Sequence, residues 1–474
     1  MLQARQGAGG APARVGGERP EPAGHRDRGP AVNSPAMPDE SRSLLRHPDF
    51  VKLWTGETVS EFGSQVTQLA LPLIAATVLQ VTAFEFGLLN TVEMVPFILL
   101  SLPAGVWVDR LRRRPILVVA DLGRAVAIGT IPVAFALNAL TIWQLYVVGA
   151  VVGCFTVFFD VAYQSYLPSI VDRDQLVDGN AKLQISQSAS AILGPGLAGV
   201  LIGIVRAPFA MTLDALSYLW SAAFVAWIRR PEPPIPAHDE TADGPKPTMR
   251  AEIATGLRWV TGSPILRPIA ASTGTANLFG QISNGIFVLY LVRERGLPAE
   301  AIGLAFSIGS IGVLLAALAT GAITAWLGVG RVLVLGSITF SLEWLAVAAA
   351  PDALILPATV VSVFLGGFGG VAWNINQVSL RQAITPPRLL GRVNASMRFI
   401  VWGTIPVGLM IGGTLGSLIG LHATIWVGAL GGLVAFLPVT LSQVRTIRAI
   451  PEAAADDAAD EPGEASDGPV TGIL

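Results

Sequence analysis

The sequence predicts an all-α membrane protein with twelve transmembrane helices in two pseudo-symmetric six-helix bundles. Its composition, its apolar segments and the distribution of its basic residues together predict this fold class. Of the 474 residues, 52% are hydrophobic and 14% are charged, whereas an average soluble domain has about 25% charged residues. The mean hydropathy of +0.59 agrees. Because a soluble protein of this composition would aggregate, the sequence excludes a large soluble enzyme.

About twelve apolar segments are long enough to cross the roughly 30 Å of hydrocarbon in a bilayer as helices. A polar, proline-rich linker over residues 231–262 separates the first six segments from the last six. We therefore expect one bundle over residues 48–230 and a second over residues 263–446. The approximate segment centres are Ala70, Val95, Ala127, Gly153, Leu193, Ser217, Phe279, Val313, Ile338, Phe364, Val407 and Leu433.

The linker is predicted to end in an amphipathic helix that lies on the membrane surface, over residues 249–268. Leu257 and Val260 are expected to dip into the interface, while Arg258 and Arg267 face the lipid head groups.

Both ends of the chain are predicted to be disordered cytoplasmic tails. Residues 1–47 are rich in Gly, Pro, Arg and Ala, and they lack the apolar run of a secretory signal peptide. Met37 is a second candidate start, because sequence with a folded pattern begins soon after it. Residues 447–474 are acidic and rich in Ala.

Lysine and arginine lie mainly in the loops on one predicted side of the membrane, and such loops usually face the cytoplasm. This bias places both termini and the linker in the cytoplasm, with the protein in the cell membrane. The basic residues of these loops are Arg110, Arg112, Arg113, Arg114, Arg229, Arg230, Lys246, Arg250, Arg388 and Arg392. The exceptions on the other side are Arg206, Arg293 and Arg295.

The two halves carry a weak internal repeat. Residues 176–184 align with residues 389–398, and the alignment pairs Asn180 with Asn394 at the start of a glycine-rich segment in each half. Two related halves are typical of transporters whose binding site lies between them near the middle of the membrane.

The strongest local pattern is AGVWVDRLRRRP at residues 104–115. It resembles motif A of the major facilitator superfamily, although Arg112 stands where that motif usually has glycine. The matching residues are Gly105, Asp109, Arg110, Arg113 and Arg114. The resemblance implies the major facilitator fold, in which this motif latches the cytoplasmic ends of the two halves together in the outward-facing state. The alternative is a basic cytoplasmic loop with a chance aspartate.

Residues 192–203 of the fifth segment carry small residues every four positions, with Pro195 placed to bend the helix. The eleventh segment repeats this spacing from Gly408 to Gly420. Gly194, Pro195 and Gly199 resemble motif C of the same superfamily, which is associated with exporters and proton antiporters. The alternative is ordinary close helix packing, which is compatible with export.

Asp121, Arg124 and Asp160 are predicted to form a buried charge cluster between the third and fourth segments. A lone charge in hydrocarbon is costly, so pairing is expected. The alternative is a salt bridge that holds helices together without touching substrate. Many drug–proton antiporters of the superfamily have an arginine within the fourth helix, and this chain departs from them there.

Residues 47–446 resemble the enterobactin exporter and macrolide-efflux branch of the superfamily, most strongly over residues 47–200. The likeness is carried by HPDFVKLWTGETVSEFG, by FFDVAYQSYLPSIVDRDQLVDGN and by ILGPGLAGVL. It implies export of a siderophore, a macrolide or a similar natural product, and it leaves the substrate open.

Carboxylates inside predicted membrane helices are candidate functional groups. Glu93, near the middle of the second segment, is a candidate to carry a proton or to pair with a cationic group of the substrate. Glu57 and Glu61 lie one turn apart on the first segment. The alternatives are a solvated or protonated Glu93 in a cavity wall and a Glu57 at the cytoplasmic edge. Asp214 and Glu343 are weaker candidates.

Amide and aromatic side chains on several segments are predicted to line a substrate cavity. They offer hydrogen bonds and stacking surfaces, and the alternative for the aromatic rings is helix packing. The candidates are Gln65, Gln68, Tyr163, Trp373, Asn374, Asn376 and Gln377, with Phe158 and Phe159 beside Tyr163.

These patterns favour a secondary active transporter that exports a small amphipathic or lipophilic molecule by proton antiport. The sequence has no Walker-type loop for ATP, so the proton gradient is the expected energy source, without cofactor, metal or catalytic residue. We expect a monomer in the lipid bilayer, with a small-molecule substrate and no nucleic-acid partner. The alternative is a lipid flippase or nutrient importer on the same fold.

A membrane-embedded enzyme is disfavoured because the histidines are scattered along the chain. They are His25, His47, His238 and His422. The single cysteine, Cys154, cannot form an internal disulfide and is expected to be a small buried side chain.

Overall fold

The computed structural model describes residues 44–172, 175–232 and 249–450, and this part of the chain is helical without a strand. Most of the predicted tails and half of the linker therefore lie outside the described residues. Side chains that also lie outside the description are those of Leu102, Val106, Asp109, residues 249–253, Pro387 and Arg388.

The helices of the first half are α1 Pro48–Leu73, α2 Ala83–Asp109, α3 Arg113–Ala136, α4 Ile142–Ile170, α5 Leu176–Val205 and α6 Ala207–Ala226. The others are α7 Met249–Gly262, α8 Leu266–Asn284, α9 Phe287–Arg293, α10 Ala299–Leu327, α11 Val329–Ala348, α12 Ile355–Ile384, α13 Pro387–Ile419, α14 Leu421–Gly432 and α15 Leu437–Thr440. A π-helical turn, Ile74–Val78, continues α1.

Eleven helical spans of the described chain are long and apolar enough to cross a membrane. In this set α8 and α9 make one span and α14 and α15 another. The first predicted segment, α1, is not among these eleven, although its 26 residues reach about 39 Å at 1.5 Å per residue. Its hydropathy is low because it carries charged residues such as Glu57 and Glu61. The predicted all-α membrane fold is confirmed.

The ends of the predicted tails are wrong by a few residues. Leu44 begins a short 3-10 helix and is buried in the first-half core. At the other end, Gly330 donates a backbone hydrogen bond to the carbonyl of Ile447 over 2.8 Å. Both segments are ordered because they bond to or pack against the bundles.

Each half packs its own helices together before the halves meet. In the first half, α1 contacts α5 and α6, and α3 and α4 complete the bundle with α2. In the second half, α12 lies against α10 and α11, while α13 and α14 pack on α8. The two halves meet mainly through two helix pairs, α2 with α13 and α5 with α10, and α9 also contacts α1 and the π-helical turn.

The halves meet closely at one end of the bundle. We call the membrane face at which α1 begins the proximal face and the opposite one the distal face. Near the distal face, a Cβ placed on Gly87 of α2 would lie 2.6 Å from the Cα of Gly413 of α13. A Cβ on Gly303 of α10 would lie 2.9 Å from the Cα of Gly199 of α5. These glycines allow the helix backbones to touch.

Hydrogen bonds reinforce this distal contact. Arg293, an exception to the charge bias, donates from its guanidinium to the carbonyl of Ala76, which belongs to the π-helical turn, over 3.1 Å. The other bonds between the halves run from Asn90 Nδ2 to the Gly285 carbonyl (3.0 Å), from Phe84 N to Ser417 Oγ (2.8 Å) and from Gly196 N to Ser307 Oγ (2.7 Å).

Toward the proximal face the same helices separate. No atom of the described chain lies within 4 Å of a Cβ built on Gly105 of α2, Gly391 of α13 or Gly321 of α10. The halves are therefore joined at the distal end and parted at the proximal end.

The helix predicted to lie on the membrane surface is present as α7, but one of its side chains is placed differently. Val260 is 1% exposed and packs in the second-half core beside Leu266. The prediction that Val260 dips into the interface is wrong because α7 folds onto α13, where Gly256 lies against the Arg392 backbone. Leu257 stays exposed.

The distal contact predicts opposite effects for two Gly→Ala substitutions in helices. Alanine is favoured over glycine in a helix by about 1 kcal/mol, so Gly105→Ala should raise the thermal unfolding midpoint in detergent. Gly413→Ala should lower it, because the new Cβ would lie 2.9 Å from the Gly87 Cα. A rise in both variants would contradict the close contact between α2 and α13.

Candidate functional site

A cavity of about 700 Å³ lies between the two halves. Its walls follow α1 from Glu57 to Pro72 and reach α8, α9, α10 and α13 in the second half. The distal contact closes one end, and the separated proximal ends leave the other end open. The volume falls in the usual range for small-molecule sites, about 300–1,000 Å³.

The charged part of the cavity wall belongs to the first half. Glu57 and Glu61 of α1, Arg124 of α3 and Asp160 of α4 all line it. Arg124 interacts electrostatically with the three carboxylates. The structure therefore places Glu57 and Glu61 with part of the predicted charge cluster.

Arg124 is fixed by a carboxylate and two rings. Its Nη2 lies 2.5 Å from Asp121 Oδ1, and Asp121 is fully buried. The guanidinium carbon lies 4.2 Å from the ring centre of Phe159 and 4.3 Å from that of Tyr218. Rings and carboxylate together compensate the buried positive charge.

Asp160 does not join this ion pair. It is exposed to the cavity, and among the described residues no basic group lies within 4 Å of its carboxylate. The predicted cluster is thus one buried pair, Asp121 with Arg124, beside a separate carboxylate. The pair forms because its members lie three residues apart on one helix, whereas Asp160 is held on another helix by the packing of α4.

Asp214 links two helices behind the cavity. It is fully buried in α6, where it accepts hydrogen bonds from Thr67 of α1 and from Ser217 (3.1 Å). Another hydrogen bond between α1 and α6, of 2.8 Å, joins Ser64 to the Tyr218 hydroxyl. Asp214 does not line the cavity, and its contacts are those of a residue that ties α1 to α6.

Glu93 lines the cavity away from Arg124. Its side chain lies against α4, where a Cβ on Gly149 would come within 2.9 Å of the Glu93 Cγ. A Cβ on Gly153 would lie 2.8 Å from the Glu93 carbonyl. Within the described chain, the Glu93 carboxylate has no ion pair and no hydrogen bond.

Only some of the residues that were predicted to line the cavity from the first half do so. Gln68 lines the cavity, whereas Gln65 packs its aliphatic part against Gly194 of α5. Tyr163 stacks on Phe159, with ring centres 5.7 Å apart, and is not among the lining residues. Gln65 and Tyr163 therefore support the wall from behind.

None of the residues predicted on α12 is among the described residues that line this cavity. Asn376 is buried, with its side chain bonded to Thr324 of α10 and to the Ala372 carbonyl. Gln377 accepts a hydrogen bond from Arg381 over 3.0 Å. The other candidates that do not line the cavity are Trp373 and Asn374. The amide of Asn376 faces α10 because α12 packs against that helix.

The second-half wall instead comes from side chains that the sequence reasoning missed. Gln281 and Asn284 of α8 and Phe287 of α9 line the cavity, together with Phe306 of α10 and Leu409 of α13. One available signal was the pair of amides three residues apart at the end of an apolar segment, which share a helix face.

The motif A residues contact the first half and the start of the linker. The backbone N–H groups of Arg113 and Arg114 donate to the carboxylate of Glu232 over 2.7 and 2.8 Å. The guanidinium of Arg114 donates to the Ala226 carbonyl. Arg110 is exposed. Asp109 is the last residue of α2, and its side chain lies outside the described part.

The motif C residues lie where α5 meets two partners. The missing side chain of Gly194 leaves room for Gln65 of α1. That of Gly199 leaves room for α10, since a Cβ on Gly199 would lie 2.7 Å from the Ala299 carbonyl. Pro195 is buried within α5. This element therefore forms part of the distal contact between the halves.

Glu343 lies outside the cavity. Its carboxylate packs against α12, at the position where Gly366 leaves room for it. A Cβ on Gly366 would come within 2.5 Å of the Glu343 carboxylate carbon. Glu343 therefore serves as a control for Glu93, because it is also a membrane carboxylate but does not line the cavity.

A family model described as transmembrane secretion effector, of the major facilitator type, matches residues 40–471. The multidrug efflux pump Tap of Mycolicibacterium fortuitum is 27% identical over 376 residues, which cover 76% of this chain and 88% of Tap. Macrolide efflux protein A of Streptococcus pyogenes is 24% identical over 406 residues, which cover 84% of this chain and 96% of the relative.

Solved structures show the same fold at low identity. A mutant of the nucleoside transporter NupG matches with a TM-score of 0.66 at 12% identity, covering 83% of this chain and 99% of NupG. A bacterial homologue of the iron transporter ferroportin, in its inward-facing state, matches with a TM-score of 0.64 at 17% identity, covering 84% and 99%.

The buried pair predicts a large loss of stability when one partner is neutralised. Asp121→Asn leaves the Arg124 charge without its carboxylate and should destabilise the fold by about 3–5 kcal/mol. The double variant with Arg124→Gln should recover part of that loss, measured by unfolding in detergent.

The control for this prediction is Asp178→Asn. It breaks a 2.7 Å pair with Lys182 in which the Asp178 side chain is 50% exposed, and it should cost at most about 1 kcal/mol. Equal losses for Asp121→Asn and Asp178→Asn would mean that burial of the pair has no effect.

Proposed function

Because the chain belongs to the transmembrane secretion effector family of major facilitator transporters, we propose that it exports a small amphipathic or lipophilic molecule by proton antiport. The coarser assignment, a multi-pass membrane transporter of an efflux family rather than an enzyme, follows from the family and its relatives. The proposal adds the substrate class, the energy source and the direction.

The observation that carries the proposal is the cavity between the halves, closed at the distal end and open at the proximal end. The arginine-rich loops lie at the proximal face, which the charge bias assigns to the cytoplasm. In this orientation the cavity loads from the cytoplasm or the inner leaflet. Alternating access then requires the glycine contacts of the distal end to open and the proximal ends to close.

Proton coupling is supported by the carboxylates of the cavity wall. Glu57, Glu61 and Asp160 lie near the fixed positive charge of Arg124, so gain or loss of a proton changes the charge that faces the cavity. Antiport requires at least one group that exchanges a proton while the cavity is open to one side of the membrane. The same group must face the other side of the membrane after the two halves have moved. The protein works as a monomer in the cell membrane under this proposal.

Export is tested by comparing the accumulation of a macrolide in cells with and without the protein. We expect lower accumulation in cells that contain it, and restoration when an uncoupler collapses the proton gradient. Higher accumulation in these cells would indicate import. If the protein lowers accumulation equally with and without the uncoupler, export is supported and proton coupling is wrong.

Neutralising a carboxylate near Arg124 should uncouple transport. In proteoliposomes with an imposed pH gradient, Glu57→Gln and Asp160→Asn should each lower gradient-driven uptake of the macrolide at least about tenfold, since one titrating group is lost. Glu343→Gln, which removes a membrane carboxylate outside the cavity, is the matched control and should keep the wild-type rate. The coupling role is wrong if all three variants behave alike.

A further inference from the structure

The part of the cavity near Glu93 differs in its electrostatics from the part near Arg124. Glu57, Glu61 and Asp160 each interact with the Arg124 guanidinium. Within the described chain, Glu93 forms no ion pair. The cavity thus holds one carboxylate that lacks a protein counter-charge nearby.

The position of Glu93 is built into the helix packing. Gly149 of α4 leaves the space that the Glu93 methylene groups occupy, and Gly153 leaves the space for its backbone and for Pro96. A side chain on either glycine would collide with α2. The carboxylate is therefore held at the cavity wall by contacts that involve no charge.

Apolar and aromatic side chains from both halves share the wall of this cavity with Glu93. Phe86, Met94 and Phe97 of α2 line the cavity with Glu93, and Phe287 and Phe306 line it from the second half. The rings of Phe287 and Phe306 stack, with centres 5.9 Å apart. Aromatic faces attract cations and exclude water, and both effects strengthen a charge pair formed beside them.

The cavity as a whole favours positive charge. Among the described residues, its lining includes the carboxylates Glu57, Glu61, Glu93 and Asp160 and one basic side chain, Arg124, which is already paired with Asp121. The described lining residues of the second half are uncharged and include the amides Gln281 and Asn284. A cleft of one charge sign concentrates ligands of the opposite sign.

We propose that the part of the cavity lined by Glu93, called the chamber below, binds the cationic group of an amphipathic substrate. This group is a protonated amine or a quaternary onium carried on an aromatic or macrocyclic body. The inference rests on the proposed function and narrows its substrate class. Cationic drug-like compounds and amine-bearing macrolides fit the chamber. Anionic catecholate siderophores do not, because they would leave Glu93 unpaired and add repulsion.

The test uses two probes of matched size and shape and opposite charge, the tetraphenylphosphonium cation and the tetraphenylborate anion. Binding to the purified full-length protein in nanodiscs is measured by equilibrium dialysis, without a gradient. We expect the wild type to bind the cation at least tenfold more tightly than the anion. Glu93→Gln should weaken binding of the cation about tenfold, which equals about 1.4 kcal/mol.

Two further variants keep the test decisive. Glu343→Gln is the matched control and should bind the cation within about twofold of the wild type. Gly149→Ala keeps the Glu93 carboxylate but displaces it, since the new Cβ would lie 2.9 Å from the Glu93 Cγ. It should also weaken binding of the cation, and it replaces Glu93→Gln if that variant does not fold.

Wild-type affinity in both Glu93→Gln and Gly149→Ala, equal binding of the anion, or no binding of the cation would each overturn the cation site. These outcomes are separable from failure of the export proposal. A protein that binds the cation through Glu93 but does not lower its accumulation in cells refutes export alone. A protein that exports while Glu93→Gln binds like the wild type refutes this site alone.

Discussion

The close backbone contact of four helices at the distal face determines the shape of the molecule. Gly87 meets Gly413, and Gly199 meets Gly303, at distances that no larger side chain permits. In a bilayer there is little hydrophobic drive between helices, so such contacts depend on dispersion and on bonds between backbones. Because the halves touch there and part toward the proximal face, the space between them becomes a cavity with one open end.

The cost of charge in hydrocarbon explains where the polar groups of the first half lie. Asp121 and Arg124 neutralise each other inside the bundle, with two rings against the guanidinium. Glu57 and Glu93 form no ion pair within the described chain, and both line the cavity. The second half faces them with amides and aromatic rings. One half carries the charge, and the other supplies a neutral surface for an apolar body.

Local features of the sequence predicted part of this site and missed the rest. The pair of Asp121 and Arg124 was predictable because residues three apart share a helix face. Asp160 lies on another helix, and its separation from the pair depends on how α4 packs. The amides of α12, such as Asn376, looked equivalent to those of α8 in composition. In the structure Asn376 bonds to Thr324 of α10, whereas Gln281 and Asn284 of α8 line the cavity.

By itself, the sequence determined the all-α membrane fold, its long apolar helices and the family resemblance of the arginine-rich loop. These depend on hydropathy, length and spacing, which are properties of single segments. Only the tertiary structure decided that Glu93 lines the cavity while Glu343 lies behind it, and that the halves meet at the distal face. The rotation and tilt of each helix are set by contacts with its neighbours, and no single segment encodes them.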